Sequence, residues 1–331
     1  MTRKELNAIT LADDLVEFLG DHPRQLASVH SVYRHAVNLL IREDALITLT
    51  NQDDIMPMGL TVDCGLSFVE FIRAGDKVVL DLDRFTAANG SFTVNLRDAS
   101  IWQTWSMPNL ALRPAENIAQ IRLKLSRWLA QQPAEGLLPL LPRLTRQLAS
   151  SKPVLGNIYS RYIADDLEAF TKAVNTSDWE RAMSLADRLI GFGMGSTPAC
   201  DDFLAAYLVV FNIADALNQG QYPWVREFNQ TISRKAKSCT TLISANMLRH
   251  AADGKISRSH QRLIHTCIFN NQDDPVDLAG MVFQHGATSG GDFLMGLICA
   301  LEWYQNTLTN TEKEGERARV DIHEPQPVPG I

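Results

Sequence analysis

The sequence predicts an α+β fold: an N-terminal, antiparallel β-rich domain followed by a mostly α-helical domain. Two textures and one boundary carry that expectation. Residues 24–112 hold short runs rich in Val, Ile, Leu, Phe and Thr, punctuated by Glu43-Asp44, Gly75-Asp76 and Asn89-Gly90. Residues 113–308 lose that texture and place apolar residues at helical spacing. Pro108 and Pro114 mark the change.

The elements follow in chain order. Leu6, Ile9, Leu11, Leu15 and Leu19 fall on or near one side of a short amphipathic helix over residues 3–20, which makes residues 1–23 an N-terminal helical segment. After His22-Pro23 come strand-like runs at 28–41, 45–50, 77–82 and 91–96. Asn89-Gly90 reads as a hairpin turn, and the region as a small antiparallel sheet or barrel. Helices are expected over 115–131, 137–148 (interrupted by Pro139 and Pro142), 158–173 and 179–190. Further helices follow Thr197, cover 225–252 as one long unit, occupy 257–269 and 276–284, and end near Gln305. Residues 309–331, with Glu312, Lys313, Glu314 and then Pro325, Pro327 and Pro329, read as a disordered tail.

Composition narrows the class of function. The chain has 331 residues, 45% hydrophobic and 21% charged, which suits a globular protein of about two domains. A net charge of −7 argues against nucleic acid, since phosphate neutralisation needs a basic face. The apolar runs around Phe203–Phe211 and Phe293–Leu301 are too short to span a bilayer, so no membrane partner is expected. The first residues carry no signal-peptide core, and the five cysteines show no paired spacing. A reduced, cytoplasmic protein is the expectation.

Two glycine-rich turns carry the chemistry. In Gly191-Phe192-Gly193-Met194-Gly195-Ser196-Thr197-Pro198, Thr197 reads as a helix N-cap and Pro198 as the first helical residue. The turn returns in His285-Gly286-Ala287-Thr288-Ser289-Gly290-Gly291-Asp292. Aligning Thr197 with Thr288 sets Asp201 against Asp292, with Gly195 and Gly286 two residues before each threonine. Unpaired N–H groups and the positive dipole end of each helix suit an anion, and two such ends converging would form one site. Capping of two buried helices would account for the same residues. The spacing is not that of a dinucleotide-binding turn and no Walker lysine follows.

Asp201, Asp202 and Asp292 are candidates to ligate Mg²⁺, to orient a substrate amide or to act as general base. Otherwise no cofactor is expected. Thr197, Thr288 and Ser289 are candidate hydroxyl donors. Asn246, Arg249, His250 and Asp253 share one helix face, either a solvated stripe or a binding surface. Arg249 is the expected fixed cation, because the turns supply none and each dipole end offers only about half a charge. His285 is a candidate substrate contact. Cys200 lies in the first turn without a His–Asp arrangement around it, so a nucleophilic role is not expected.

Three ordered motifs resemble the family of the AllH-type subunit of oxamate carbamoyltransferase. They are Gly193-Met194-Gly195-Ser196-Thr197-Pro198-x-x-Asp201-Asp202, Ser244-x-x-x-Leu248-Arg249-x-Ala251-Ala252-x-Gly254-x-x-Ser257, and Gly286-x-Thr288-Ser289-Gly290-x-Asp292. Val32-Tyr33-Arg34-His35-Ala36-Val37-Asn38-Leu39 and Arg84-Phe85-Thr86 extend the likeness into the β-rich part. Ser196 departs from the family's usual Leu before Thr-Pro. The resemblance implies a multi-subunit carbamoyltransferase that converts oxalurate and phosphate to oxamate and carbamoyl phosphate during anaerobic allantoin and purine breakdown. It also implies partner subunits of the FdrA-like and AllG-like types. Gly193, Gly195, Thr197, Arg249, Gly286, Thr288 and Ser289 would bind the small anionic substrates, with Asp201, Asp202 and Asp292 catalytic. A non-catalytic scaffold subunit and a small-anion-binding regulator are the alternatives.

Overall fold

The computed structural model describes residues 3–42, 44–145 and 156–321, and the fold is α+β. Strand β1 (Lys4–Ala12) leads into helix α1 (Asp13–Asp21). Then come β2 (Gln25–Val32), β3 (Ala36–Ile41), β4 (Ala45–Thr50), β5 (Gly59–Asp63), β6 (Lys77–Asp81), β7 (Arg84–Ala87), β8 (Phe92–Asn95) and β9 (Ser100–Trp102). The sheet runs β5-β4-β3-β2-β6-β7-β8-β1, and β1 pairs back onto β5, so eight strands close a barrel. Closure removes the exposed edges that an open sheet would present. Most pairings are antiparallel, as expected, but β1–β8, β4–β5 and β1–β9 are parallel. The hairpin at Asn89-Gly90 is present, with Gly90 at φ 72° between β7 and β8.

The single helix expected over residues 3–20 divides in two. Leu6, Ala8 and Thr10 are buried while Glu5, Asn7 and Ile9 are exposed, which is the period of a strand. Ala8 and Thr10 are weakly apolar, so leucine positions alone suggested a helix. Helix α1 begins only at Asp13, and its Leu15 and Leu19 join the barrel core with Val37, Leu39, Ile47 and Leu49.

The second core belongs to the helices. They are α2 (Ala115–Leu129), α3 (Leu141–Leu144, after a 3-10 turn at Leu138–Leu140), α4 (Ile158–Asn175), α5 (Trp179–Leu189) and α6 (Ala199–Leu217). The expected helix end at 146–148 lies outside the described residues. Then follow α7 (Pro223–Cys239), α8 (Leu242–Ala252), α9 (Arg258–Ile268), α10 (Pro275–Phe283) and α11 (Ser289–Asp321). The long helix expected over 225–252 is therefore two. Thr241 breaks it by accepting the Ser244 N–H at 3.1 Å as the N-cap of α8. The tail expected to be disordered from Thr309 continues α11 as far as Asp321, where Glu, Lys, Arg and Ala are good helix formers. The remaining tail residues, 322–331, lie outside the described residues.

Helices α6 and α11 form the centre of this core. Every residue from Cys200 to Phe211, and from Gly290 to Leu301, is buried. A helix apolar on all sides is enclosed on all sides. The two pack backbone to backbone at Gly296, where an added Cβ would meet the Phe203 carbonyl oxygen at 2.2 Å. Gly296→Ala is therefore expected to destabilise the protein by about 3 kcal/mol or more in urea unfolding. Gly20→Ala, in α1 with open space around its Cα, should be neutral or stabilising by up to about 1 kcal/mol.

Candidate functional site

The crossing of α6 and α11 brings their N-termini together against the barrel wall. Alternation along β4 prepares that wall: Ile47 and Leu49 enter the barrel core, while Thr48 and Thr50 face the cleft. A cavity of about 450 Å³ lies between β3–β4, the segment 52–56, the α6 and α11 turns, and α8–α9. Gly195, Thr197, Asp202, Gly286, Thr288 and Ser289 line it. A smaller chamber of about 210 Å³ adjoins it, sharing Thr48, Thr197 and Ser257 and adding His250 and Lys255. The two turns are joined directly, since Thr197 Oγ1 and Ser289 Oγ lie 2.7 Å apart.

The caps differ from expectation. Pro198 occupies the N-cap of α6, with ψ 141°, and Thr197 makes no capping bond. Its hydroxyl turns to Ser289 instead. In α11 the Thr288 carbonyl accepts the Asp292 N–H at 2.9 Å, as the Pro198 carbonyl accepts the Asp202 N–H at 3.3 Å. The structural counterpart of Asp292 is thus Asp202, one residue later than the sequence alignment of the threonines implies.

The three aspartates have different surroundings. Asp201 Oδ1 accepts the Gly191 N–H at 2.7 Å, and its Oδ2 accepts the hydroxyls of Thr240 at 2.5 Å and Ser244 at 2.6 Å. It pins the glycine turn to the α7–α8 junction and does not line the cavity. Asp292 Oδ1 accepts the Leu137 N–H at 2.6 Å, tying α11 to the turn before α3. Asp202 alone lines the cavity, 4% exposed, with Oδ2 lacking a partner among the described residues. Burial first, and then the Asp292 charge, drive Asp202 well above the carboxylate range, while the Ser289 and Thr197 hydroxyls pull it down. Burial raises Asp292 to about 7, against the opposing bonds from Leu137 and Thr288.

Arg249 is a correction. It donates to Asn246 Oδ1 at 2.7 Å and lies beside Asp44, outside both chambers. Asn246 anchors it there, because that side chain also bonds the Leu46 N–H and the Asp44 carbonyl at the end of the barrel. Asn246 and Arg249 thus lie at an interdomain contact, while His250 of the same face lines the smaller chamber. Gly193 also stands back from the cavity: its φ is 130°, and an added Cβ would meet the Ala199 nitrogen at 2.3 Å. Cys200 is fully buried, and burial among carboxylates pushes its thiol up, opposite to what a nucleophile needs.

Sequence reasoning missed Asp54, Gln52, His260 and Gln284, which also line the cavity. They come from separate loops and α9, with no local spacing to reveal them. Burial drives His260 well below the usual imidazole range, so it is neutral near pH 7. The lining of the main cavity contains no Lys or Arg among the described residues.

A closed barrel meets a helical region, and two helix N-termini with polar side chains line the cleft between them. No solved structure matches the chain. The chain belongs to the AllH family: residues 189–301 match the family described as oxamate carbamoyltransferase subunit AllH, and residues 7–101 match the AllH family N-terminal domain. Among the described residues no helix is long and apolar enough to cross a membrane.

The buried acid pair makes a pH prediction. Asp292 has its folded pKa raised from 3.8 to about 7, so its stabilising contribution is complete below about pH 4 and is lost as pH rises through about 7. Half-buried His250 and His265, lowered to about 3 and about 4, act with the opposite sign in part of that range. Comparison with a variant isolates the acid. Asp292→Asn should gain unfolding stability relative to the wild type by about 2.6 kcal/mol between about pH 5 and about pH 8. A difference in melting temperature that stays constant over that range would refute the raised pKa.

Proposed function

We propose that this chain is the subunit of an oxamate carbamoyltransferase whose cleft binds the ureide substrate, and that it works only with partner subunits of the FdrA-like and AllG-like types. The reaction is phosphorolysis of oxalurate to oxamate and carbamoyl phosphate, in cytoplasmic allantoin and purine breakdown. Five free cysteines accord with a reducing compartment.

One observation carries this reading: Asp202, whose Oδ2 lacks a partner among the described residues and whose carboxyl burial pushes well upward, faces a cavity rimmed by hydroxyls, amides and helix N-termini. Oxalurate is a planar monoanion with several N–H and C=O groups. Neutral donors and acceptors match it, whereas a phosphate dianion calls for a full cation. Lys255, which lines the adjoining chamber, is a candidate on this chain, although its Nζ is shared with Asp14 at 3.3 Å.

In the reaction a phosphate oxygen attacks the carbamoyl carbon and the bond from that carbon to the oxamate nitrogen breaks. The nitrogen must gain the proton that phosphate loses. A protonated Asp202 can donate to that nitrogen and recover a proton from phosphate, which keeps the charge of the site constant. The Thr197 and Ser289 hydroxyls and the N–H groups of α11 would hold the developing oxyanion.

The test is phosphate-dependent oxalurate cleavage by the reconstituted complex. Asp202→Asn should lower kcat by roughly 10²-fold or more, and Thr197→Val should raise KM, both with normal assembly. Arg249→Ala should leave the rate near wild type. Wild-type rates from both cavity variants would make the chain a scaffold.

A further inference from the structure

Asp54, His260 and His285 stand together at the cavity wall, each offering one ligand atom, with all three atoms within 4.8 Å of one another. They come from the segment between β4 and β5, the first turn of α9, and the turn between α10 and α11. Asp54 Oδ1 accepts the Ser259 N–H at 2.8 Å and Oδ2 accepts the Ser259 hydroxyl at 3.0 Å, which fixes the carboxylate plane. His260 Nδ1 lies 2.7 Å from Ser257 Oγ, leaving Nε2 as the ligand atom. The edge-on Phe293 ring, with centroids 4.4 Å apart, holds the imidazole in place. His285 Nε2 lies 3.4 Å from Asp54 Oδ2.

We propose that Asp54, His260 and His285 bind a divalent transition-metal ion of the zinc class, with at least one coordination position open to the cavity. Metal-binding histidines are oriented by an oxygen partner on the second ring nitrogen, and the Ser257–His260 bond supplies that arrangement. Two imidazoles with one carboxylate suit Zn²⁺, Co²⁺ or Mn²⁺ better than Mg²⁺, which prefers oxygen ligands. Three protein ligands leave a vacant position, the pattern of reactive rather than purely structural zinc sites. All three residues line the same cavity as Asp202, Thr197 and Ser289, so an open position meets whatever occupies it. Tetrahedral ligation at about 2.0–2.2 Å would bring the ligand atoms to roughly 3.5 Å from one another, and the two ring centroids already lie 5.0 Å apart.

Metal binding is independent of the carbamoyl-transfer reading and is tested without activity. The full chain, untagged and stripped with a chelator, is titrated with Zn²⁺ by calorimetry and with Co²⁺ by visible absorption. One equivalent should bind, raising the unfolding midpoint, with a cobalt spectrum of nitrogen and oxygen ligands. His260→Ala and His285→Ala should each weaken binding by roughly tenfold or more, and Ser257→Ala by a smaller factor. Circular dichroism and metal-free melting confirm that each variant is folded. Asp54→Asn, which preserves size and the acceptor oxygen for Ser259, serves if an alanine variant fails to fold. No uptake by the wild type, undiminished binding by the variants, or a thiolate charge-transfer band would overturn the site. The cluster would then be an ion-pair clamp between the two domains.

Discussion

The close crossing of α6 and α11 is the constraint on which the site depends. Gly296 lets one helix lie on the backbone of the other at Phe203, and because both residues lie within about two turns of their helix starts the N-termini come to one place. That contact sets Thr197 against Ser289 and brings Asp202 within the electrostatic reach of Asp292. Two carboxylates in a dry interior cannot both ionise cheaply, so the packing of a core decides the protonation of a cavity residue.

Much of the fold was legible in the sequence. Ile47-Thr48-Leu49-Thr50 alternates apolar and polar residues, and Ala115–Leu129 shows its helical period, because Ile118, Ile121, Leu125 and Leu129 on the buried face are large. Strand β1 was hidden because its inward positions include Ala8 and Thr10. The break between α7 and α8 rests on one hydroxyl, that of Thr241, acting as a cap. A threonine inside an apolar pattern does not announce such a role.

The site was legible in part. The repeated glycine turns do converge, and their threonines do face one cavity. The one-residue offset between Asp201 and Asp202 escaped notice because Pro198, extended at ψ 141°, takes the cap position itself. Arg249 was misplaced for a different reason. Helical spacing fixes a face but does not say which neighbour the face meets, and here the neighbour is the barrel end near Asp44 and Leu46. Asp54 and His260 meet only through tertiary structure, so no local pattern could link them.

The barrel's closing strand has a consequence for how the chain comes together. β1 contains the first described residues of the sequence, yet it pairs with β5 on one side and with β8 and β9 on the other. Lys4 opposes Phe92 and Ala12 opposes Trp102, so these pairings join residues about ninety positions apart in the sequence. Long loops must close before these contacts form, which makes barrel formation slow relative to the local helices behind it. Until then the edge of β1 that meets β8 and β9 is unpaired, and a partly folded chain that exposes it is open to mispairing.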